Sequence, residues 1–260
     1  MLGQFTSCLA NKLLVVMDEA VFGGDKKAHG KLLSTITGAK QKIECKGVDA
    51  IFVDSYINMR QNSNKEHFAF TQDGSRRPMM LEASNKLGSI MTEETTAYFQ
   101  RLGAVPLPAI AHFLYTRDLS GVNIRAFPQT ELYRDQVLRS LPPFRAFWHA
   151  VFTRGFVVPA RTEGTGQYAV DIPAIGWDEQ RPLVVDKSAV YDAFRLEVRG
   201  QSHVDTSSVF WQNSKRLFDD APFYDESRAQ AGGVRTRTVT LPPLAQCVQR
   251  WNAASSVKIA

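Results

Sequence analysis

The sequence predicts an α/β protein: a partial parallel-sheet core, then a helical linker, then a C-terminal α+β unit with the element order of a winged helix. Three observations lead there. An apolar run, Leu13–Met17, ends in the acidic pair Asp18-Glu19. Strand-like and helical patterns alternate through the first 120 residues, and beyond residue 155 two helical patterns precede a basic strand and a last helix. The boundaries read as 1–120 for the sheet core, 121–155 for the linker and 156–260 for the C-terminal unit. With 44% hydrophobic and 22% charged residues among 260, the chain has the composition of a folded domain pair, which excludes disordered and fibrous classes.

The elements follow in order. Residues 12–17 read as a short buried strand of the kind found inside a parallel sheet. A helix follows from about Asp25 to Thr37, with Ala28, Leu32, Leu33 and Ile36 on one face. Two β-favouring runs, Gln41–Lys46 and Ala50–Ile57, are joined by Gly47-Val48-Asp49 as a hairpin. A polar stretch, Asn58–Gly74, ends in the turn pair Asp73-Gly74, and Arg76-Arg77-Pro78 opens an apolar run over Met79–Ala83. Helices are expected near 92–102 and 107–117, and an aromatic-rich helix around Phe144, Phe147, Trp148, Val151 and Phe152. After a Gly/Thr-rich loop, Thr162–Gly166, come helices near 187–199 and 206–218, a strand with Arg235 and Arg237, and a helix near 242–253.

Charge and cysteine usage narrow the class. The net charge of +5 favours a polyanionic partner only weakly. Cys8, Cys45 and Cys247 are far apart with no C-x-x-C pair, which argues against a disulfide scaffold or zinc knuckle and fits a reducing cytoplasm. The longest uncharged run, Leu102–Thr116, is too short and proline-broken to span a bilayer, so no membrane partner is expected. The histidines show no metal-ligand spacing.

The chemistry-bearing signal is Leu13-Leu14-Val15-Val16-Met17-Asp18-Glu19, the pattern of the second nucleotide motif of P-loop ATPases. A strand delivers an acidic pair at its carboxyl edge, where open α/β sheets bind ligands. Asp18 would hold Mg²⁺, and Glu19 would orient and deprotonate the attacking water. Asn62-Ser63-Asn64 and then Arg76-Arg77 follow in the order of a sensor and an arginine finger of ring (AAA+-like) ATPases. Asn64 would sense the γ-phosphate, with Asn62 as the alternative, and Arg76 or Arg77 would neutralise transition-state charge across a subunit boundary. In the C-terminal unit the helix near 206–218 would serve for recognition through Gln212, Lys215 and Arg216, with Arg228, Arg235 and Arg237 on or near the wing.

Lys12–Ala20, Gly30-Lys31-Leu32, Ile43–Ala50, Ser63-Asn64, Arg76-Arg77, Thr116–Leu119, Pro128-Gln129-Thr130, Gln136, Ser140-Leu141, Leu241–Leu244 and Cys247 together resemble the superfamily 3 helicase domain of phage and plasmid primase–polymerases, which is similar to poxvirus-type primase–helicases. The resemblance implies an ATP- and Mg²⁺-dependent DNA helicase of phage-type replication, a hexameric ring on single-stranded DNA. It places the 40–57 hairpin in the central pore, with Lys46 and Gly47 at the tip against the phosphate backbone and Lys40 and Lys42 behind. One departure is plain: no G-x-x-x-x-G-K-[ST] occurs, and Gly24–Leu32 fails that pattern in spacing and context. In relatives this loop lies upstream of the segment matching Met1–Phe5. The expectation is therefore an ATPase fold lacking its phosphate loop and inactive alone, the product of a truncated gene, of a split gene whose upstream chain carries that loop and a primase, or of a degenerate one. Met59-Arg60-Gln61 is also more polar than the apolar sensor strand of relatives. The rival expectation is a non-catalytic DNA-binding or oligomerisation protein derived from such a motor.

Overall fold

The computed structural model describes residues 6–19, 26–47, 49–87, 92–123, 126, 128–163, 170–199, 204–218, 225–231 and 234–260. Val48 of the expected hairpin tip, residues 164–166 of the expected loop and the side chain of Arg235 lie outside this description. The chain divides into two units, Met1–Ser75 with Asp135–Ala260, and Arg76–Arg134. The fold is mixed α/β with several small sheets.

In the first unit, β1 (Leu14–Asp18) leads through α1 (Lys26–Thr37) to an antiparallel hairpin of β2 (Lys40–Ile43) and β3 (Ile51–Asp54), then to β4 (Asn58–Asn62). Strand β4 lies parallel to β1, with Leu14 opposite Asn58 and Asp18 opposite Asn62. The β1 strand alternates: Val15 and Met17 are buried with Leu9, Ile43 and Ile57, whereas Leu14 and Val16 are exposed. The expected fully buried strand is thus covered on one face only. The second strand of the pair falls in the stretch read from sequence as polar, where relatives carry an apolar sensor strand. Polar residues can occupy it because Arg60 is exposed, while Gln61 Nε2 donates to the Phe68 carbonyl at 3.0 Å.

The second unit carries α2 (Glu93–Gly103) and α3 (Leu107–Thr116). Helix α2 starts at a capping box, the Thr92 hydroxyl accepting from Thr95 N–H at 3.2 Å while Thr92 N–H donates to the Thr95 hydroxyl at 2.7 Å. Pro108 early in α3 fits a helix start, where its missing N–H costs nothing. The apolar run Met79–Ala83 forms no strand; Met79 and Leu81 are exposed. Helix α4 (Glu131–Ser140), not anticipated from its weakly amphipathic sequence, starts in this unit, where Thr130 caps it: its hydroxyl accepts from Tyr133 N–H at 3.2 Å and donates to the Met80 carbonyl at 2.8 Å.

The larger core lies in the C-terminal stretch. Helix α5 (Pro143–Arg154) stops at Gly155, whose φ of +74° is the left-handed conformation that ends helices and suits glycine. Two small hairpin pairings follow, β5 (Phe156–Val158) with β8 (Ile175–Gly176), and β6 (Arg161–Glu163) with β7 (Val170–Ile172). Strand β9 (Leu183–Asp186) then leads into α6 (Lys187–Glu197), capped by the Asp186 carboxylate, and α7 (Ser207–Phe218). Strands β10 (Asp225–Ala231) and β11 (Val234–Leu241) pair antiparallel and place β11 centrally between β10 and β9; α8 (Leu244–Ala254) completes the unit. Trp148 is fully buried at the centre, with Phe152, Trp177, Phe210 and Phe218 around its ring and its indole N–H donating to Ser214 Oγ at 2.8 Å. Such aromatic packing stabilises beyond area burial alone.

Candidate functional site

Parallel pairing of β1 and β4 brings both polar ends of the strands to one edge. Asp18 and Glu19 lie at the carboxyl end of β1, exposed, and Asn62 ends β4 beside them. Glu19 N–H donates to the Asn62 carbonyl at 2.9 Å, which extends the ladder one residue past the strand. Glu19 has φ +49°, unusual for a non-glycine residue. Asn64 Nδ2 donates to Glu19 Oε1 at 3.3 Å, and Arg60 Nε donates to Asn62 Oδ1 at 3.1 Å. The acid pair and the two asparagines singled out from sequence, some 45 residues apart, therefore share one edge. Asp18 is exposed at this edge. Gly30 lies inside α1, so the Gly24–Leu32 segment is no phosphate loop over its described part. Arg76 and Arg77 belong to the second unit, are exposed, and stand outside any strand.

On the hairpin, Lys40 and Lys42 are exposed on β2, Lys46 and Gly47 at the turn. Gly47 has φ +76°, which the reversal requires of a residue without Cβ. Lys42 is paired with Glu44, reducing its free charge.

A second constellation lies in the C-terminal stretch. A groove of about 1010 Å³ runs between the start of α6, the face of α7 and the strands β10 and β11. Gln212, Lys215 and Arg237 line it together, joined by Lys187, Ser207, Ser208 and Thr236. Trp211 forms part of its wall; it is buried, and among the described residues its indole N–H finds no hydrogen-bond partner. Lys187 Nζ sits 4.7 Å from the Trp211 ring centre and 2.9 Å from Glu226 Oε2. Lys187 was not foreseen, because its position against Trp211 on α7 and Glu226 on β10 depends on contacts between elements distant in sequence. Arg216 instead lines a different hollow of about 210 Å³ with Arg145, Arg250 and Trp251. Arg228 is exposed on β10, opposite Arg237 in the ladder. The lining holds three cations, Lys187, Lys215 and Arg237, against two carboxylates, Asp186 and Glu226, and such a polar, slightly positive groove walled by one tryptophan can take a phosphate-bearing chain.

Among the described residues no group of three or more His, Cys, Asp or Glu is arranged to hold a metal ion, and no helix is long and apolar enough to cross a membrane. One exposed carboxylate at a strand end, Asp18, fits a magnesium mode in which substrate phosphates and water supply most ligands.

Residues 1–77 match a family described as "Family of unknown function (DUF5906)". No curated protein matches the sequence. Among solved structures, the chain is similar to the apo structure of the NrS-1 C terminal region (305-718), with a TM-score of 0.57 and 16% identity, covering 92% of this chain and 57% of that one. Two A form apo structures of the same region give TM-scores of 0.55 and 0.56, at 15% and 14% identity, with 92% of this chain covered and 56% and 57% of theirs. The chain spans a little over half the length of these structures. At such identities the likeness is one of fold, and the chain shares that fold with the NrS-1 C terminal region over nearly all of its length.

Proposed function

We propose that this chain is part of a superfamily 3 type, ATP-driven DNA helicase of phage-type replication, contributing the acidic and sensor edge of a P-loop core and a winged-helix-like DNA-binding unit. The observation that carries the reading is the Asn64–Glu19 hydrogen bond at the carboxyl edge of a parallel strand pair. In that role Asp18 binds the Mg²⁺ that accompanies ATP, and Glu19, aligned by Asn64, accepts the proton of the attacking water. Arg76 or Arg77 serves a neighbouring copy in a homo-oligomeric ring. Magnesium, when bound with the nucleotide, supplies charge neutralisation at the phosphates. The 260 residues contain no phosphate loop, so ATP turnover requires a segment from outside them.

The groove supports a second, less demanding reading: single-stranded DNA binding through Lys215, Gln212 and Arg237, with the Lys46 hairpin as a further contact and no ATP chemistry in this chain. One experiment tests both readings. Fluorescence anisotropy with labelled single-stranded DNA, taken from 50 to 200 mM salt, should show affinity falling steeply, the slope decreasing by about one for Lys215→Ala and again for Arg237→Ala. Phosphate release is measured alongside. The pure chain should release none, and turnover by it would refute the claim of an incomplete site. Absence of any salt-sensitive DNA binding would refute both readings.

A further inference from the structure

We propose that the hollow at the foot of the β2–β3 hairpin takes one unstacked adenine base of single-stranded DNA, with the Gln41 amide on its edge and the Tyr56 ring on its face. Gln41 shares the buried face of β2 with Ile43 and is only 9% exposed. Its side-chain amide makes no hydrogen bond to any described residue, yet it is not sealed from solvent. An amide buried without a partner costs free energy, so a donor and an acceptor supplied from outside stabilise it. Gln41 lines a hollow of about 380 Å³, within the size range of ligand pockets. Tyr56, 71% exposed, and Leu13, 70% exposed, line it as well, together with the buried Ile57.

The lining selects a neutral, flat ligand. Its one ammonium, Lys12, is matched by one carboxylate, Asp54, so the described lining carries no net charge to draw a phosphate inside. A glutamine amide pairs at two points with adenine N6 and N7, and a tyrosine ring stacks on the face of a base. Water alone would satisfy the amide but leave Tyr56 and Leu13 uncovered. The phosphates on either side of the base meet cations outside the hollow: Lys40 stands opposite Asp54 in the hairpin ladder, and Lys46 is exposed at the turn. A cationic track beside a stacking aromatic is how proteins hold single strands. Leu13 and Ile57, which line the hollow, immediately precede β1 and β4, whereas Asp18 and Glu19 stand at the carboxyl end of β1. The hollow is therefore separate from the acidic edge assigned to ATP. The inference deepens the DNA-binding reading and rests on it.

Fluorescence anisotropy of the full chain tests it with three labelled strands of equal length and charge: oligo(dA), oligo(dT) and an abasic strand. The variants are Gln41→Leu, which fills similar space without polar atoms, and Tyr56→Ala at an exposed position. Circular dichroism checks that both keep the wild-type fold. Gln41→Leu should weaken oligo(dA) at least about fivefold and leave oligo(dT) unchanged, because only the adenine edge is lost. Tyr56→Ala should weaken oligo(dA) and oligo(dT) alike, again at least about fivefold, because stacking serves either base. Neither should alter the abasic strand, whereas Lys215→Ala in the separate groove should weaken all three. Unchanged oligo(dA) affinity in either variant, or an equal loss for the abasic strand, would overturn the proposal. Calorimetry with adenosine monophosphate separates a free nucleotide from the strand: if it binds the wild type, fails to bind Gln41→Leu and displaces no oligo(dA), the strand assignment is overturned. Salt-sensitive binding that ignores the bases refutes the hollow alone; no salt-sensitive binding of any strand refutes the DNA-binding reading and the hollow together.

Discussion

Removing the carboxylate of Asp73 should be among the most damaging single changes to a polar side chain. One oxygen accepts from Ser256 N–H at 2.7 Å and from the Ser256 hydroxyl at 2.6 Å; the other accepts from the Ser255 hydroxyl at 2.7 Å and from Arg145 Nη2 at 3.1 Å. The Arg145 guanidinium in turn lies 4.9 Å from the centre of the Trp251 ring. With its side chain only 13% exposed, Asp73 thereby ties the end of the N-terminal stretch to the C-terminal tail, 183 residues away. Burial alone would raise its pKa. The Ser256 and Ser255 hydroxyls, the Ser256 amide and the Arg145 charge outweigh that and hold it below the usual carboxylate value. Hydrogen bonds to a charged group contribute about 1.5–3 kcal/mol each but are not additive within a cluster. For Asp73→Ala, which strands all four donors, a loss of about 3 kcal/mol follows, equivalent to about 6–12 °C in Tm for a protein of this size. Urea and thermal unfolding followed by circular dichroism provide the assay. Because the folded pKa is depressed, the contribution is fully present above the unfolded value, about 3.9, and disappears as pH falls through the folded value. The wild type should therefore lose its advantage over Asp73→Ala only in acid. A variant within about 0.5 kcal/mol of wild type at pH 7, the range of an ordinary surface change, would refute the reasoning.

Other outcomes follow from the same geometry. Gln136 is fully buried, its Oε1 accepting from Phe68 and Ala69 N–H at 3.1 and 3.2 Å and its Nε2 donating to the Glu66 carbonyl at 2.6 Å. Gln136→Leu strands these groups and should cost about 2–3 kcal/mol in urea unfolding; a neutral result would show that water replaces the amide. Trp148→Ala should cost about 3–5 kcal/mol, against less than about 0.5 kcal/mol for Gln212→Ala on the exposed face of α7, compared by their urea midpoints. Burial pushes the Cys247 thiol up to about 12, whereas Cys8 and Cys45 are exposed. At pH 8 a thiol reagent should accordingly label two cysteines rapidly and the third only after denaturation; three rapid reactions would contradict the burial of α8.

The sequence by itself determined the local elements. The 3.6-residue spacing of apolar positions located α1, α5, α6 and α7 to within a residue or two, and the Thr92 capping box and Gly155 mark helix ends because caps are satisfied by residues close in sequence. It also singled out Asp18, Glu19 and Asn64, since a run of β-branched and apolar residues ending in two acids is itself a local pattern. Helix α4 escaped notice because what holds it lies elsewhere: Gln136 and Ser140 bond to residues 66–71, about seventy positions away. Strand β4 was legible only through the resemblance and not from its own pattern, as its pairing with β1 spans more than forty residues and tolerates polar side chains on an open face. Only the tertiary structure decided that Asn64 meets Glu19, that Lys187 joins Lys215 and Arg237 in one groove while Arg216 leaves it, and that α3 is left in water. Propensity and periodicity act over a single turn of helix or pleat of strand, whereas a site is assembled by loop closure and burial between segments whose separation no local pattern encodes.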